Sequence, residues 1–345
     1  TRLEHIFPST DLRDKGLYLQ LNGYKVHVFM NIREVEDNEW HTYRQVCNYL
    51  NGRGVPSVEE AMQELTLQPV QSPFQQIANP GYFKYLMENR STAAKPEIAD
   101  VVLEEARRKM THLLDGIAYL QHTGDNHEVI LTELNQTLHF ILTLPQVEKE
   151  LPLKGKALQK AFEELRESID AQPMESWFVM LGWAFTHSLG KMAGMDGFAQ
   201  QSQSWFDEWK LGKTLVDCAL AMGMEETAAW RLVATIRMMI VQQGWYRHSG
   251  SLAARQILEE WLNQDEIQHY LGINRYKDVL WFNKEAFDQL VHWMNLLALL
   301  DVAADPKATK SELVETMVGS HEIASVLKAA AAVSEYRVSR LLDGV

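Results

Sequence analysis

The hydrophobic pattern of this chain starts with a period of two and then abandons it. In YKVHVFMNIREV, Tyr24, Val26, Val28, Met30 and Ile32 alternate with Lys25, His27, Asn31 and Arg33, the spacing of a half-buried strand. Phe29 breaks the polar side, so this strand is expected to touch something on both faces. The preceding GLYLQL offers at most one partner strand across Asn22-Gly23, a hairpin turn signal. Two strands alone do not make a stable sheet, so further strands, from sequence upstream of Thr1, are expected to complete it.

After Asp37 the apolar spacing becomes helical. Ser57 followed by Glu60 reads as a capping box that opens a helix. Pro69, Pro73 and Pro80 predict loop or short turns over 67–81. Pro96 is expected to open a helix over 97–121, with Val101, Ala106, Met110, Leu113, Leu114, Ile117 and Leu120 on one face. Further helices are expected near 127–143, 155–171, 175–191, 201–222, 225–243, 251–263, 284–303, 310–318 and 321–342. Pro145, Pro152, Pro173 and Pro306 fall between them as breakers. No fixed-period repeat is present, which disfavours a solenoid. Ala329 to Ala332 reads as a close-packing helix surface. The expected fold is mainly α: a short β segment over 1–36, a connector of loop and short helices over 37–95, and a multi-helix array over 96–345.

Composition narrows the partners. With 345 residues, 46% hydrophobic and 23% charged, the chain can build a real core. Its net charge of −13 opposes nucleic acid and anionic membranes as partners. The longest apolar window, Trp177 to Phe185, is far short of the roughly 20 residues that span a bilayer. A soluble protein is expected, with the cytoplasm as default location. Cys47 and Cys218 lack CxxC spacing and read as buried thiols.

Each candidate motif then meets a plainer reading. LGKTLVD resembles the end of a phosphate-binding loop, but that loop needs glycine where Asp207 stands. Gly190, Gly194 and Gly197 follow a helix, which suits a C-cap and loop better than a dinucleotide fingerprint. His122 with His127, and His112 with Asp115, lack a third ligand at a metal-binding spacing. There is no GxSxG, and Cys47 has no activating neighbour. The tryptophans could stack on sugars, yet at helical spacing they read as core. A glycosidase needs two carboxylates at a set separation, and the sequence selects no pair. No catalytic, cofactor-binding or metal-binding residue is therefore assigned.

The densest stretch is YLGINRYKDVLWFNKEAF, from Tyr270 to Phe287. It reads as a loop, the apolar segment DVLWF, and a helix capped by Asn283 with Phe287, Leu290, Val291, Met294, Leu297 and Leu300 inward. Trp281, Phe282 and Phe287 are expected to be mostly buried, and Arg275 to bridge to a carboxylate or a helix C-terminus. The competing possibility is a ligand platform made of Arg275, Tyr276 and Trp281.

That stretch, together with GYKVHVFMNIREVEDNEWHTYRQVCNYLNGRGVPSVEEAMQEL (residues 23–65), resembles the region that follows the catalytic barrel in very large bacterial α-amylase-family glycoside hydrolases. The resemblance implies that residues 18–35 close a β-sandwich, and that the partner is a catalytic domain upstream in the same polypeptide, with α-glucan as a possible ligand. It supplies no catalytic residue, because the family's Arg-x-Asp and His-Asp pairs are missing here and no eight-fold alternation of strand and helix is present. The expected function is a non-catalytic helical accessory module. The alternatives are an α/α toroid glycoside hydrolase using a carboxylate pair, or a helical scaffold with an apolar groove.

Overall fold

The computed structural model describes every residue except 1–2, 20–22, 25, 40, 93–94, 96, 124–125, 150, 152–154 and 248–252. The protein is mostly helical, with one two-stranded antiparallel sheet among the described residues. No helix among them is long and apolar enough to cross a membrane. The chain divides into two units, Thr1–Pro69 and Val70–Val345.

The first unit contains α1 (Ser9–Lys15), α2 (Thr42–Leu50) and the start of α3 (Val58–Ile77). Its core is small: Val46, Leu50 and Ala61 are buried, ringed by Ile6, Val55, Val58, Met62 and Leu65. The start of α3 is capped twice. Ser57 Oγ accepts from the Glu60 amide at 3.2 Å, as the capping signal predicts, and the Glu4 carboxylate accepts from the Val58 amide at 2.8 Å. Glu4 also exchanges backbone hydrogen bonds with Val55 at 2.7 and 2.9 Å.

The strand expected over 24–35 is not formed. No described residue between 17 and 37 makes a backbone–backbone hydrogen bond, and Val26, Val28, Met30 and Ile32 are exposed. A strand is stabilised by a neighbour's N–H and C=O groups, and nothing in this unit lies beside the segment to supply them. Asn22 of the expected hairpin turn lies outside the described residues.

Helix α3 corrects a second expectation, because it runs through Pro69 and Pro73 where a loop was predicted. Each proline forfeits a bond to the carbonyl four residues back, at a cost of about 3 kcal/mol. The helical spacing of Val70, Phe74 and Ile77, all buried, offsets that at about 1.5–3 kcal/mol each.

The second unit continues with α4 (Pro80–Glu88), α5 (Asp100–Gln121), α6 (His127–Thr143), α7 (Lys156–Ala171), α8 (Pro173–Ala184), α9 (Phe198–Glu208), α10 (Leu211–Ala221) and α11 (Glu226–Val241). Then come α12 (Ala253–Leu262), α13 (Asp265–Tyr270), the hairpin β1 (Asn274–Tyr276) and β2 (Val279–Trp281), α14 (Lys284–Ala304), α15 (Lys310–Val333) and α16 (Val338–Asp343). Helix α8 is central. Every residue from Ser176 to Ala184 is buried, and α4, α6, α7 and α11 pack around it. A helix apolar on all sides belongs inside. Around this centre α14 lies on α6 and α15, while α12 and α16 lie on α15.

Several boundaries shift for local reasons. The helix expected from 97 starts at Asp100 and turns Val102 inward, leaving Val101 exposed; Pro96 lies outside the described residues. The stretch 201–222 splits into α9 and α10 at Lys210, whose φ of 56° no helix interior accepts. The expected helices at 310–318 and 321–342 fuse into α15, which ends before Glu335 and Tyr336, at φ 49° and 63°.

Gly190, read from sequence as a helix C-cap, lies in a 3₁₀ turn (Leu189–Met192) against α9. A Cβ there would fall 2.1 Å from the Phe198 carbonyl oxygen and 2.6 Å from the Ser202 nitrogen. Gly212 of LGKTLVD is likewise a packing glycine within α10, facing the Phe206 ring. Backbone cannot yield as a side chain can, so Gly190→Ala should cost about 3 kcal/mol or more, at the upper end of overpacking effects. A guanidinium melt of the variant beside the parent measures it.

Candidate functional site

The site missed by sequence reasoning begins where α8 ends. Its last carbonyls lie inside the protein and need internal donors. Thr186 Oγ1 donates to the Gly182 carbonyl at 2.7 Å, and His187 Nδ1 meets the Trp183 carbonyl at 3.0 Å. Because a carbonyl only accepts, Nδ1 carries the hydrogen and Nε2 is left facing away. The His187 ring stacks on Trp183 with centroids 3.8 Å apart. Thr186, His187 and Ser188 are all fully buried.

Two charges join them. Lys191 Nζ donates to both oxygens of Glu133 on α6, at 2.6 Å each. His187 Nε2 stands 3.9 Å from Glu133 Oε1, beyond hydrogen-bond reach. Burial alone would raise the Glu133 carboxyl; His187 and Lys191 outweigh it and hold it below the ordinary carboxylate range. Lys191 also sits over the Phe198 ring at 4.3 Å. Neighbouring links fix the frame: Asn126 Nδ2 donates to the Lys191 carbonyl at 2.7 Å, and Gln243 Nε2 to the His187 carbonyl at 3.3 Å.

A second carboxylate, partly buried, is coupled electrostatically to His187. Asp301 on α14 accepts from the Gly244 amide at 2.9 Å. Burial raises it above the usual carboxylate range, against the opposing pull of Tyr246, Arg247, the Gly244 amide and His187. The cluster is a nearly buried carboxylate–imidazole–ammonium centre. The Nε2 of His187 and the Oγ of Ser188 find no hydrogen-bond partner among the described residues. Glu133 and Lys191 keep only a sliver of exposed surface, and the evident work of Thr186 and His187 is to satisfy the end of α8.

The residues singled out from sequence lie elsewhere, on the hairpin. Lys277 and Asp278 form its two-residue turn, both at positive φ (46° and 60°), as a type I′ turn requires. The register pairs Asn274 with Trp281, Arg275 with Leu280 and Tyr276 with Val279. Side chains alternate across a strand, so Tyr276 and Trp281 share one face while Arg275 projects from the other. The three are not brought together. Arg275 is exposed and forms no ion pair among the described residues, so the expected bridge to a carboxylate is not made. Trp281 is half-buried where mostly buried was expected; Arg337 covers its ring at 5.4 Å and the two residues form a backbone bridge. Phe282 and Phe287 are buried as expected, their rings 5.6 Å apart. Asn283 caps α14, accepting from the Ala286 amide at 3.0 Å.

Of the other candidates, His127 approaches Asp115 at 4.0 Å. Trp177, Trp183, Trp205, Trp209, Trp245, Trp261 and Trp293 are buried, whereas Trp230 is exposed. A shallow pocket of about 300 Å³ lies between α6 and the start of α15; Asp305 is its one carboxylate and no Trp lines it. Compared with protein families, curated proteins and solved structures, the chain matches none.

Two outcomes follow from the buried charges. Lys191→Met leaves Glu133 unpaired inside and should cost about 3–5 kcal/mol, most of it recovered when Glu133→Leu is added. Chemical melts of the single and double variants decide this. His292 on α14, with its ring beside Trp293 and Lys328 nearby, is pushed down to about 4 by burial first and Lys328 second. Its folded value lies below the unfolded one near 6.5. The unfolded chain therefore takes up a proton first, and stability should fall from about pH 6.5 to about pH 4 by at most about 3 kcal/mol. The same melts across that range should show a shallower slope for His292→Gln.

Proposed function

We propose that this chain is a non-catalytic helical accessory module of a bacterial α-amylase-family carbohydrate-active enzyme, packing on the catalytic domain upstream in the same polypeptide. The observation that carries the non-catalytic part is the disposition of its aromatic and acidic side chains. Seven of the tryptophans fill seams between helices instead of lining a cleft. The pocket described above offers one carboxylate where hydrolysis with either stereochemical outcome needs two. Glu133 is nearly buried and held by both oxygens to Lys191. The family rests on the resemblance of residues 23–65 and of the hairpin region. A cytoplasmic setting belongs to the same reading. Any glycan presentation falls to Tyr276 and Trp281, which share the hairpin face, and not to Arg275.

The test is direct. The purified chain, incubated with soluble starch and with maltoheptaose, should release no reducing ends above a blank. Turnover that co-purifies with the chain and is lost on Asp305→Asn or Glu133→Gln, each confirmed folded by its melt, would overturn the reading in favour of a toroid hydrolase.

A further inference from the structure

We propose that the hairpin face carrying Tyr276, Trp281 and Arg337 is a docking surface for an acidic peptide segment of a partner protein. The inference goes beyond the accessory-module reading and stands whatever the parent enzyme does.

The strand register builds the face. Tyr276 and Trp281 lie on one side of the hairpin, diagonal to each other across β1 and β2. Arg337 meets Trp281 through an antiparallel backbone bridge, which carries the face on to a third lane. Its guanidinium lies 5.4 Å from the indole centroid, and Lys277 Nζ lies 5.3 Å from the Tyr276 ring centroid. Tyr276 is 62% exposed, and Tyr336, next to Arg337 along the chain, is 51% exposed. Arg, Tyr and Trp are the side chains that carry most binding energy at protein interfaces.

The chemistry of the face selects its occupant. Residues 274–281 and 335–340 hold Arg275, Lys277, Arg337 and Arg340 against Asp278 and Glu335 alone, an excess of positive charge on a chain whose net charge is −13. Glu335 is already held by Arg340, and its contact with Arg337 is loose, at 3.8 Å. Trp281 Nε1 and Arg337 Nε find no acceptor among the described residues. A face rich in donors and short of acceptors fits carboxylates. A long nucleic acid or an anionic membrane would extend past this patch and meet the negative charge of the rest of the chain. A peptide of several residues has to match the patch alone.

The turn supplies an independent sign. Lys277 and Asp278 stand at φ 46° and 60°, positions where Asn and Gly fit a type I′ turn without strain. Protecting the edge of a short hairpin asks only for charge and gives no reason to hold Tyr276 in the open beside it. A lysine kept at a strained position over an exposed tyrosine ring fits recognition of an anionic side chain better than protection of an edge.

The experiment selects a random dodecapeptide display library on the full chain and measures the Kd of the best-enriched peptide by fluorescence anisotropy. Asp and Glu together should be enriched about twofold or more over the library. Kd should rise about fivefold between about 50 and about 300 mM salt. Lys277→Asn suits the turn, so this variant should melt no lower than the parent while its Kd rises about threefold or more. Tyr276→Ser and Arg337→Gln, each confirmed folded by its melt, should weaken binding about tenfold. Maltoheptaose should not displace the peptide. No enrichment, enrichment of basic or merely apolar sequences, an affinity indifferent to salt, or full binding by Lys277→Asn would each overturn the proposal. Displacement by maltoheptaose would overturn it too and make the face a glycan platform. No arm depends on hydrolysis, so peptide docking and the non-catalytic reading fail separately.

Discussion

The second unit is organised by a single constraint: α8 has no face that can meet water. From Ser176 to Ala184 each side chain is buried, so every direction around the helix has to be covered by another element. That requirement assigns the neighbours. Helices α4, α6, α7 and α11 present apolar surfaces to it, and Gly182 lets Ile236 of α11 approach until a Cβ would lie 2.5 Å from its Cδ1. The polar consequence follows from the same cause. A helix buried to its last turn brings unsatisfied carbonyls inside, and Thr186 and His187 are placed to answer them. Glu133 and Lys191 pair beside that imidazole. The ionic centre thus sits where α8 stops, beside the groups that cap its last turn.

The two units solve different problems. The second is large enough for its core to enclose aromatic seams such as Trp205 on Trp209, 4.6 Å apart, and Trp245 near Trp261. The first rests on one small cluster and a double cap at α3, and it leaves apolar residues in the open. For a segment of its length that core is slight.

How much of this was legible depended on whether the signal was local. The boundaries of α6 and the Asn283 cap of α14 could be read directly, since apolar spacing and capping chemistry act within a few residues. The helical path through Pro69 and Pro73 could not, because the burial that holds it lies in other helices. Helix α8 was expected as part of a helix over 175–191, but its central place and its end at Ala184 were not legible, since complete burial erases the period that marks a surface helix. Glu133 and Lys191 are 58 residues apart with no motif around either, and His187 was one histidine of twelve. The only available hint was polar Thr-His-Ser placed directly after an apolar run, where an ordinary helix end would carry glycine or a solvated cap. On the hairpin, sequence collected Arg275, Tyr276 and Trp281 by proximity, and the pleat separated them.

The hairpin also shows why nearness along the chain misleads. Its turn residues Lys277 and Asp278 adopt left-handed backbone, and so do Glu335 and Tyr336 in the turn that meets it. Non-glycine residues pay about 1 kcal/mol or more for that conformation, and such positions persist only when their surroundings over-determine them. Here the surroundings are visible. The Phe282 amide donates to the Tyr336 carbonyl at 3.0 Å, Trp281 and Arg337 form a bridge, and Arg337 lies across the indole. Each strained turn is held by the element the other one positions. The charged and aromatic density that draws attention in the sequence is therefore accounted for by a clasp between the hairpin and the turn before α16, with Tyr276 and Arg275 left pointing outward on opposite sides of it.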